Sequence, residues 1–282
     1  MTDSETKLTF IVSCKGRLEQ LKISLPRLMT QAQCRTIVVV SNCPEDSGQW
    51  VRAHYPEAQV VDVEDGGTFN LSKCRNAGLQ QCQTKWTCFV DADVVLSELF
   101  YQDVLPQLKE GCFYKFEVPQ EKFGLDGTVI VETDYARLVE GYDEVFEGWG
   151  GEDGDFYTRL DMSGVQRAVL SHTLIDQVLV HSHTSRTTYY KTKDIRISLA
   201  AASVYITAKT SLSKLAGNDF LNEAHRRKLF ALAQSAVNSA LARKDKKLSL
   251  ILDVPKKDKR IIWGIHISQK IVVDIDLSAT FK

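Results

Sequence analysis

The sequence predicts an α/β fold with a mostly parallel central sheet, followed by a helical and β-hairpin C-terminal extension. Three observations carry that expectation. Over the first 190 residues, short apolar runs alternate with segments of helical spacing, the pattern of βαβ units. Acidic residues fall where one apolar run ends, at the strand C-termini where open sheets gather ligands. Past residue 190 the texture changes to two long amphipathic stretches and then a pair of strand-like runs.

Each element follows from its local pattern. Leu8–Ser13 is a short apolar run suited to a buried first strand. Leu18, Leu21, Leu25 and Leu28 recur at helical spacing. Thr36–Ser41 and Ala58–Val63 read as the second and third strands. Leu71–Gln80 reads as a helix with Asn70 as its N-cap. Trp86–Val90 is a fourth strand that stops at Asp91-Ala-Asp93. Phe113–Glu132 reads as strands and turns, with 123–127 as a loop and 128–132 as the strand feeding Gly141-Tyr-Asp-Glu144. The extension has helical stretches at 194–216 and 219–243. A hairpin or meander follows, with Leu248–Val254 as one arm, a basic turn at 255–260, and Ile261–Leu277 as the other. The expected division is a catalytic domain over 1–190 and an extension over 191–282.

Bulk properties exclude several classes. No apolar run approaches membrane-spanning length, and the polar, acidic N-terminus is unlike a signal peptide. The seven cysteines are irregularly spaced and show no zinc pattern, so reduced thiols are expected. Charge is divided along the chain. Residues 1–184 hold 16 Lys+Arg against 28 Asp+Glu, and residues 185–282 hold 19 against 8. The basic half is read either as a solvated surface or as a face for an anionic membrane, an anionic glycan, a protein partner or the acidic half itself. No nucleic acid is expected, because no recognition motif accompanies the charge. Oligomers are conceivable through an exposed edge of the C-terminal β segment.

Three motifs carry chemistry. In Gly148-Trp-Gly-Gly151, glycines permit close backbone approach and Trp149 offers a flat apolar wall. Glu152 and Asp153 follow at a helix start, which favours negative charge. Asp91 and Asp93 share a face on extended chain, and so do His181 and His183. A carboxylate with imidazoles suits a cation such as Mn²⁺, phosphate oxygens completing the shell.

In that order, these motifs resemble GT-A type glycosyltransferases, in particular the β-1,4-galactosyltransferase-like branch and the related bacterial family 2 enzymes. The carriers are Phe69-Asn70, Arg75-Asn76, Asp91-Ala-Asp93, Gly141-Tyr-Asp-Glu144, Trp149-Gly-Gly-Glu-Asp153 and His181-Ser-His183. The resemblance spans about residues 7 to 190. It implies a GT-A (nucleotide-diphospho-sugar transferase) fold. It also implies metal-dependent, inverting transfer of a hexose, galactose or N-acetylgalactosamine favoured, from a UDP-sugar to a glycan or glycolipid hydroxyl.

The implied roles are as follows. Asp93, His181 and His183 hold Mn²⁺ or Mg²⁺. Asp91 serves ribose or a metal-bound water. Arg17 and Arg75 reach diphosphate or base, or else make ordinary ion pairs. Asn70 and Asn76 line the donor site, or simply cap and turn. Asp153 is the general base, and Glu152 bonds sugar hydroxyls. Trp149, Gly150 and Gly151 form the acceptor side. Many relatives carry an acid where Gly154 stands, so Asp155 is expected to compensate. Animal relatives have a membrane anchor that this sequence lacks, so the expected location is cytoplasmic, peripheral at the inner membrane surface. A non-catalytic sugar-nucleotide or glycan-binding scaffold remains an alternative. A nucleotidyltransferase ranks lower, because Ser13-Cys-Lys-Gly-Arg17 has a single glycine where a phosphate loop would have several.

Overall fold

The computed structural model describes residues 6–118, 124–180, 187–216, 221–254 and 270–278. The chain divides into two units. One comprises residues 1–144 and 152–189, the other residues 145–151 and 190–282.

The first unit is built on a seven-stranded sheet. Its strands are β1 (Leu8–Cys14), β2 (Cys34–Ser41), β3 (Gln59–Val63), β4 (Trp86–Asp91), β6 (Cys112–Phe116), β7 (Val129–Glu132) and β8 (Gln166–Leu170), in the spatial order β3-β2-β1-β4-β7-β6-β8. The pairs β1–β2, β1–β4, β2–β3 and β6–β8 are parallel, and β7 runs antiparallel to both its neighbours. This is the mostly parallel sheet that the alternation predicts. A separate short ladder pairs β5 (Val94–Leu96) with β9 (Ile175–Val178) in antiparallel fashion.

Both faces of the sheet are covered, as a parallel sheet requires. Side chains alternate along β1. Phe10 and Val12 join one apolar cluster with Leu21, Leu25 and Leu28 of α1 (Leu18–Met29) and Val51 of α2 (Ser47–His54). Ile11 joins the opposite cluster with Leu79 of α3 (Leu71–Gln81) and with Phe156 and Leu160 of α6 (Glu152–Met162). Gly78 lets α3 lie close on β1, because a Cβ there would overlap the Ile11 side chain. Two short helices, α4 (Phe100–Val104) and α5 (Thr133–Leu138), complete the unit.

The second unit holds two long helices, α7 (Ile195–Ala216) and α8 (Glu223–Ala242), and an antiparallel pair, β10 (Lys247–Asp253) with β11 (Lys270–Asp276). Small residues on α7 and α8, among them Ala201, Ala208, Ala233 and Ala240, are buried, as are Leu248, Leu250 and Leu252 of β10. The segment 145–151 belongs to this core. Phe146 packs with Tyr205 and Phe230 at ring separations of 5.4–5.7 Å. Burying one such ring stabilises by roughly 1.5–3 kcal/mol. The expected strand over 261–277 is described only from Lys270, and residues 261–269 lie outside the described residues. Among the described residues, no helix is long and apolar enough to cross a membrane.

Candidate active site

Two elements of the first unit aim carboxylates at a buried guanidinium carried by a third. Helix α3 starts at Asn70, whose side chain accepts from the Lys73 N–H at 2.9 Å, the expected cap. One turn later the helix buries Arg75, whose side chain is 2% exposed. Strand β4 ends at Asp91, and Arg75 Nη2 meets its Oδ1 at 3.0 Å. Helix α6 opens with Glu152 and Asp153, where the helix dipole favours anions. Arg75 Nη1 meets Asp153 Oδ1 at 2.6 Å and Glu152 Oε1 at 3.7 Å. The guanidinium also lies 4.7 Å from the centre of the Tyr142 ring, a cation–π contact.

The surrounding chain leaves this cluster little freedom. A Cβ at Gly127 would overlap Asp91 Oδ2 and approach Arg75 Nη2 to 2.7 Å, so only glycine fits beside the pair. Tyr142 stacks on Phe156 at 4.3 Å. Its backbone is pinned by Asn76, whose Oδ1 accepts from Tyr142 N–H at 2.7 Å and whose Nδ2 donates to Tyr142 O at 2.8 Å. Asn76 also donates to Glu144 Oε1, and Asn70 donates to Glu144 O, both at 2.8 Å. The amides expected at a donor sugar therefore serve here to hold the Gly-Tyr-Asp-Glu turn against α3.

One cation faces three carboxylates, and that imbalance sets the electrostatics. Burial pushes the Asp153 carboxyl well above the ordinary aspartate range; Arg75 pulls it down, while Glu152 and Asp91 push it further up. Glu152 is raised as well, mainly by burial, against the pull of Arg75. The protons of such a group belong to the cluster, not to one residue. Arg75 is held charged: burial opposes its charge, and the nearby carboxylates overcome it.

A second charged cluster lies at the C-terminal ends of β1, β2 and β3. Lys15 Nζ forms an ion pair with Asp65, and both side chains are buried. Asp65 also accepts from Ser41 Oγ and from the Gly67 N–H, each at 2.9 Å. Burial works against the Asp65 anion, but Lys15 and these donors outweigh it, so its carboxyl lies below the usual range. Lys15 sits 5.4 Å from the centre of the Tyr189 ring, and Gly16, at φ +60°, has no room for a Cβ beneath that ring. Sequence reasoning missed Lys15, Asp65 and Tyr189. The available signal was Asp65-Gly-Gly after a strand, a turn signature that says nothing about a partner 50 residues away.

The other expected residues fall as follows. Asp93 is half-buried in the turn between β4 and β5, and its carbonyl accepts from Leu179 N–H at 2.7 Å. The β5–β9 ladder thus brings the chain leading into His181-Ser-His183 alongside Asp93. Both histidines lie outside the described residues. Among the described residues, no group of three His, Cys, Asp or Glu side chains could hold a metal ion. Arg17 is half-buried at the start of α1 and donates to Gly16 O at 3.1 Å.

Three expected positions have protein partners in the structure. Arg75 is buried and engaged by carboxylates. Gly150 and Gly151, at φ +86° and +97°, make their close approach to Leu199 and Ala202 of α7 within the second unit. Trp149 lies in that same segment. Asp155 does not replace an acid at position 154. It is buried and bonds Arg159 Nε at 2.8 Å, and Arg159 in turn donates to the carbonyls of Val139 and Gly141.

Sequence comparison meets this geometry at the same residues. Residues 9–127 match the family described as glycosyl transferase family 2, and residues 111–184 match the family described as the N-terminal domain of galactosyltransferase. Human β-1,4-galactosyltransferase 1 is 26% identical over 122 residues, which are 38% of this chain and 29% of that protein. Human β-1,4-galactosyltransferase 3 is 26% identical over 124 residues, 38% of this chain and 30% of that protein. The chain thus matches less than a third of the length of these curated relatives.

Among solved structures, the mannosyltransferase PcManGT of Pyrobaculum calidifontis, in complex with GDP-Man and Mn²⁺, superposes with a TM-score of 0.56. It is 13% identical, and the match covers 84% of this chain and 79% of that one. TarS 1–349 of S. aureus, in complex with UDP-GlcNAc, gives 0.58 at 16% identity, covering 85% and 74%. The fold is therefore that of the GT-A glycosyltransferases. In sequence, the chain resembles family 2 glycosyltransferases and β-1,4-galactosyltransferases.

Proposed function

We propose that this protein is an inverting glycosyltransferase that moves a hexose from a UDP-sugar to a glycan or glycolipid hydroxyl, with Asp153 as general base. The observation that carries the reading is the Arg75 cluster. It places a basic carboxylate on the first turn of α6, fixed at 2.6 Å from a buried guanidinium. A base must be ionised at working pH yet take up a proton readily. Burial and two neighbouring carboxylates give Asp153 that affinity, and Arg75 keeps the anion in place. Asp153 would accept the acceptor's proton as its oxygen attacks the anomeric carbon from the face opposite the leaving diphosphate. Arg75 acts through Asp153, Glu152 and Asp91 as a positioning residue.

The donor set fits a divalent cation in its chemistry. Asp93 supplies a hard carboxylate, and the imidazoles of His181 and His183, which lie outside the described residues, are the ligand type such a cation accepts beside it. Bound there, Mn²⁺ or Mg²⁺ would neutralise the departing diphosphate. Asp91, Lys15 and Asp65 stand at the strand C-termini where an α/β sheet takes its ligand. PcManGT is described with GDP-Man and Mn²⁺ and TarS with UDP-GlcNAc, which supports a nucleotide-sugar donor here. Galactose or N-acetylgalactosamine is favoured by the likeness to the β-1,4-galactosyltransferases. The acceptor-side role of Trp149 rests on that likeness, and the division into a catalytic part and a basic extension facing an anionic membrane or a protein partner rests on the uneven charge along the sequence.

UDP release from a panel of UDP-sugars with Mn²⁺ tests the reading. Turnover with at least one donor is expected, with slow hydrolysis in the absence of acceptor. Asp153→Asn should abolish turnover while equilibrium binding of UDP stays close to wild type. UDP binding without turnover in the wild type would favour the non-catalytic scaffold. Parallel loss of binding and turnover in Asp153→Asn would remove the base assignment.

A further inference from the structure

The loop after β1 and the loop after β2 bring together two thiols that the transferase reading does not use. Cys14 ends β1 and is completely buried. Cys43 follows β2 and is half-buried. Both sulfurs contact one hydroxyl: Ser47 Oγ lies 3.0 Å from Cys43 Sγ and 3.5 Å from Cys14 Sγ. The shared hydroxyl places the two thiols on either side of one side chain. The Gly16 N–H points at Cys43 Sγ from 3.2 Å. These groups surround one sulfur with donors.

Their effect on the two thiols is opposite. The neighbouring Cys14, helped by Ser47 and the backbone N–H groups of Gly16 and Glu45 against some burial, brings the Cys43 thiol down to about 4. The neighbouring Cys43 and its own burial push Cys14 well up. Burial pushes the Cys34 thiol well up, and Cys112 Sγ lies in β6.

We propose that Cys43 is a reactive-thiolate modification site, with Cys14 as its resolving partner, taking hydroperoxides and soft electrophiles. In the peroxide reaction the Cys43 sulfur attacks the distal oxygen of the hydroperoxide. The O–O bond breaks, and the alkoxide or hydroxide leaves and takes up a proton. Sulfur is oxidised by two electrons to the sulfenic acid, and the peroxide is reduced. The Cys14 sulfur then attacks Cys43, the S–O bond breaks, and hydroxide departs as water with the Cys14 proton. The product is a Cys14–Cys43 disulfide joining the ends of neighbouring parallel strands. Alkylation by an electrophile would stop at Cys43, since Cys14 is enclosed.

The proposal stands apart from the transferase reading, and its test needs no substrate. The native full-length chain is treated with limiting iodoacetamide at neutral pH and mapped by peptide mass. Cys43 should label at least about tenfold faster than Cys34 and Cys112 in the same molecules. Hydrogen peroxide should then yield a Cys14–Cys43 disulfide that dithiothreitol reverses. Cys14→Ser should halt at a Cys43 sulfenic acid that dimedone traps. If Cys14→Ser does not fold, the labelling ratio and disulfide map of the wild type decide alone. Labelling of Cys43 no faster than Cys112, or peroxide treatment that links other cysteines or none, overturns the proposal.

Discussion

Two buried ion clusters in the first unit use the same kinds of groups to opposite ends. Around Asp65, one lysine meets one carboxylate, and a hydroxyl and a backbone N–H complete its bonding. The anion is favoured, and its carboxyl falls below the usual range. Around Asp153, one buried arginine meets three carboxylates, Glu152 buried and Asp91 and Asp153 partly exposed. There the balance is reversed, and the carboxyl rises. At Asp65 a lysine and two donors outweigh burial, whereas at Asp153 burial dominates and two further carboxylates add to it. A matched pair holds a loop, whereas an excess of carboxylates stores affinity for a proton. That stored affinity costs stability at neutral pH and is what a general base needs.

The largest expected effect comes from removing the excess charge. Asp153→Asn should lower turnover by about 10²–10⁴-fold, the usual range for a lost general base. Its melting temperature at neutral pH should be no lower than that of wild type, because Arg75 keeps Asp91 and Glu152. A clear drop in melting temperature would mean that Asp153 belongs with Asp65, as a structural anion. Next comes the reverse substitution. Arg75→Met leaves the buried Glu152 and the partly exposed Asp91 and Asp153 without a cation, and breaking such an arrangement typically costs ~3–5 kcal/mol. Chemical denaturation at neutral pH measures it. A loss of under about 1 kcal/mol would show that water already reaches the cluster. Lys15→Met should cost less, ~1–3 kcal/mol, since Asp65 keeps Ser41 and Gly67 as donors.

The same contrast explains what the sequence disclosed. Strands β1 to β4 and helix α3 were legible because apolar runs and the Asn70 cap are local signals. The placement of Asp91 at a strand end and Asp153 at a helix start followed from the same patterns. Helix α2 was not legible, since Ser47–His54 offers only Val51 and Trp50 as bulky apolar residues. Strand β8 escaped notice because it is largely exposed, with Gln166 and Arg167 in its first half. The burial of Arg75 was hidden for another reason. Its partners lie 16 and 78 residues away, and no periodicity reports which cation three distant carboxylates will share. The Lys15–Asp65 pair was hidden in the same way. The role of Gly150 and Gly151 was misread because a glycine that admits a ligand and one that admits a helix look alike in sequence.

The smallest effect is the most direct reading of the comparison, because the two clusters should tilt stability in opposite directions with pH. Asp65 has a lowered carboxyl when folded, so its contribution is complete above the unfolded value of about 3.9 and is lost as pH falls through the folded value. Asp153 has a raised carboxyl when folded. Its contribution is complete below about 3.9 and is lost as pH rises through the folded value. The wild type should therefore lose one term on acidification and the other on approach to neutrality. Denaturation midpoints measured from acid to neutral pH should show Lys15→Met losing part of the acid-side slope and Asp153→Asn losing part of the neutral-side slope. The rate should follow the second term: turnover falls as pH drops through an apparent value above the ordinary aspartate range, because the cluster must give up its extra proton before Asp153 can accept one. A rate profile flat down to ordinary aspartate values would show that the three carboxylates titrate independently, and the distinction between the clusters would then be lost.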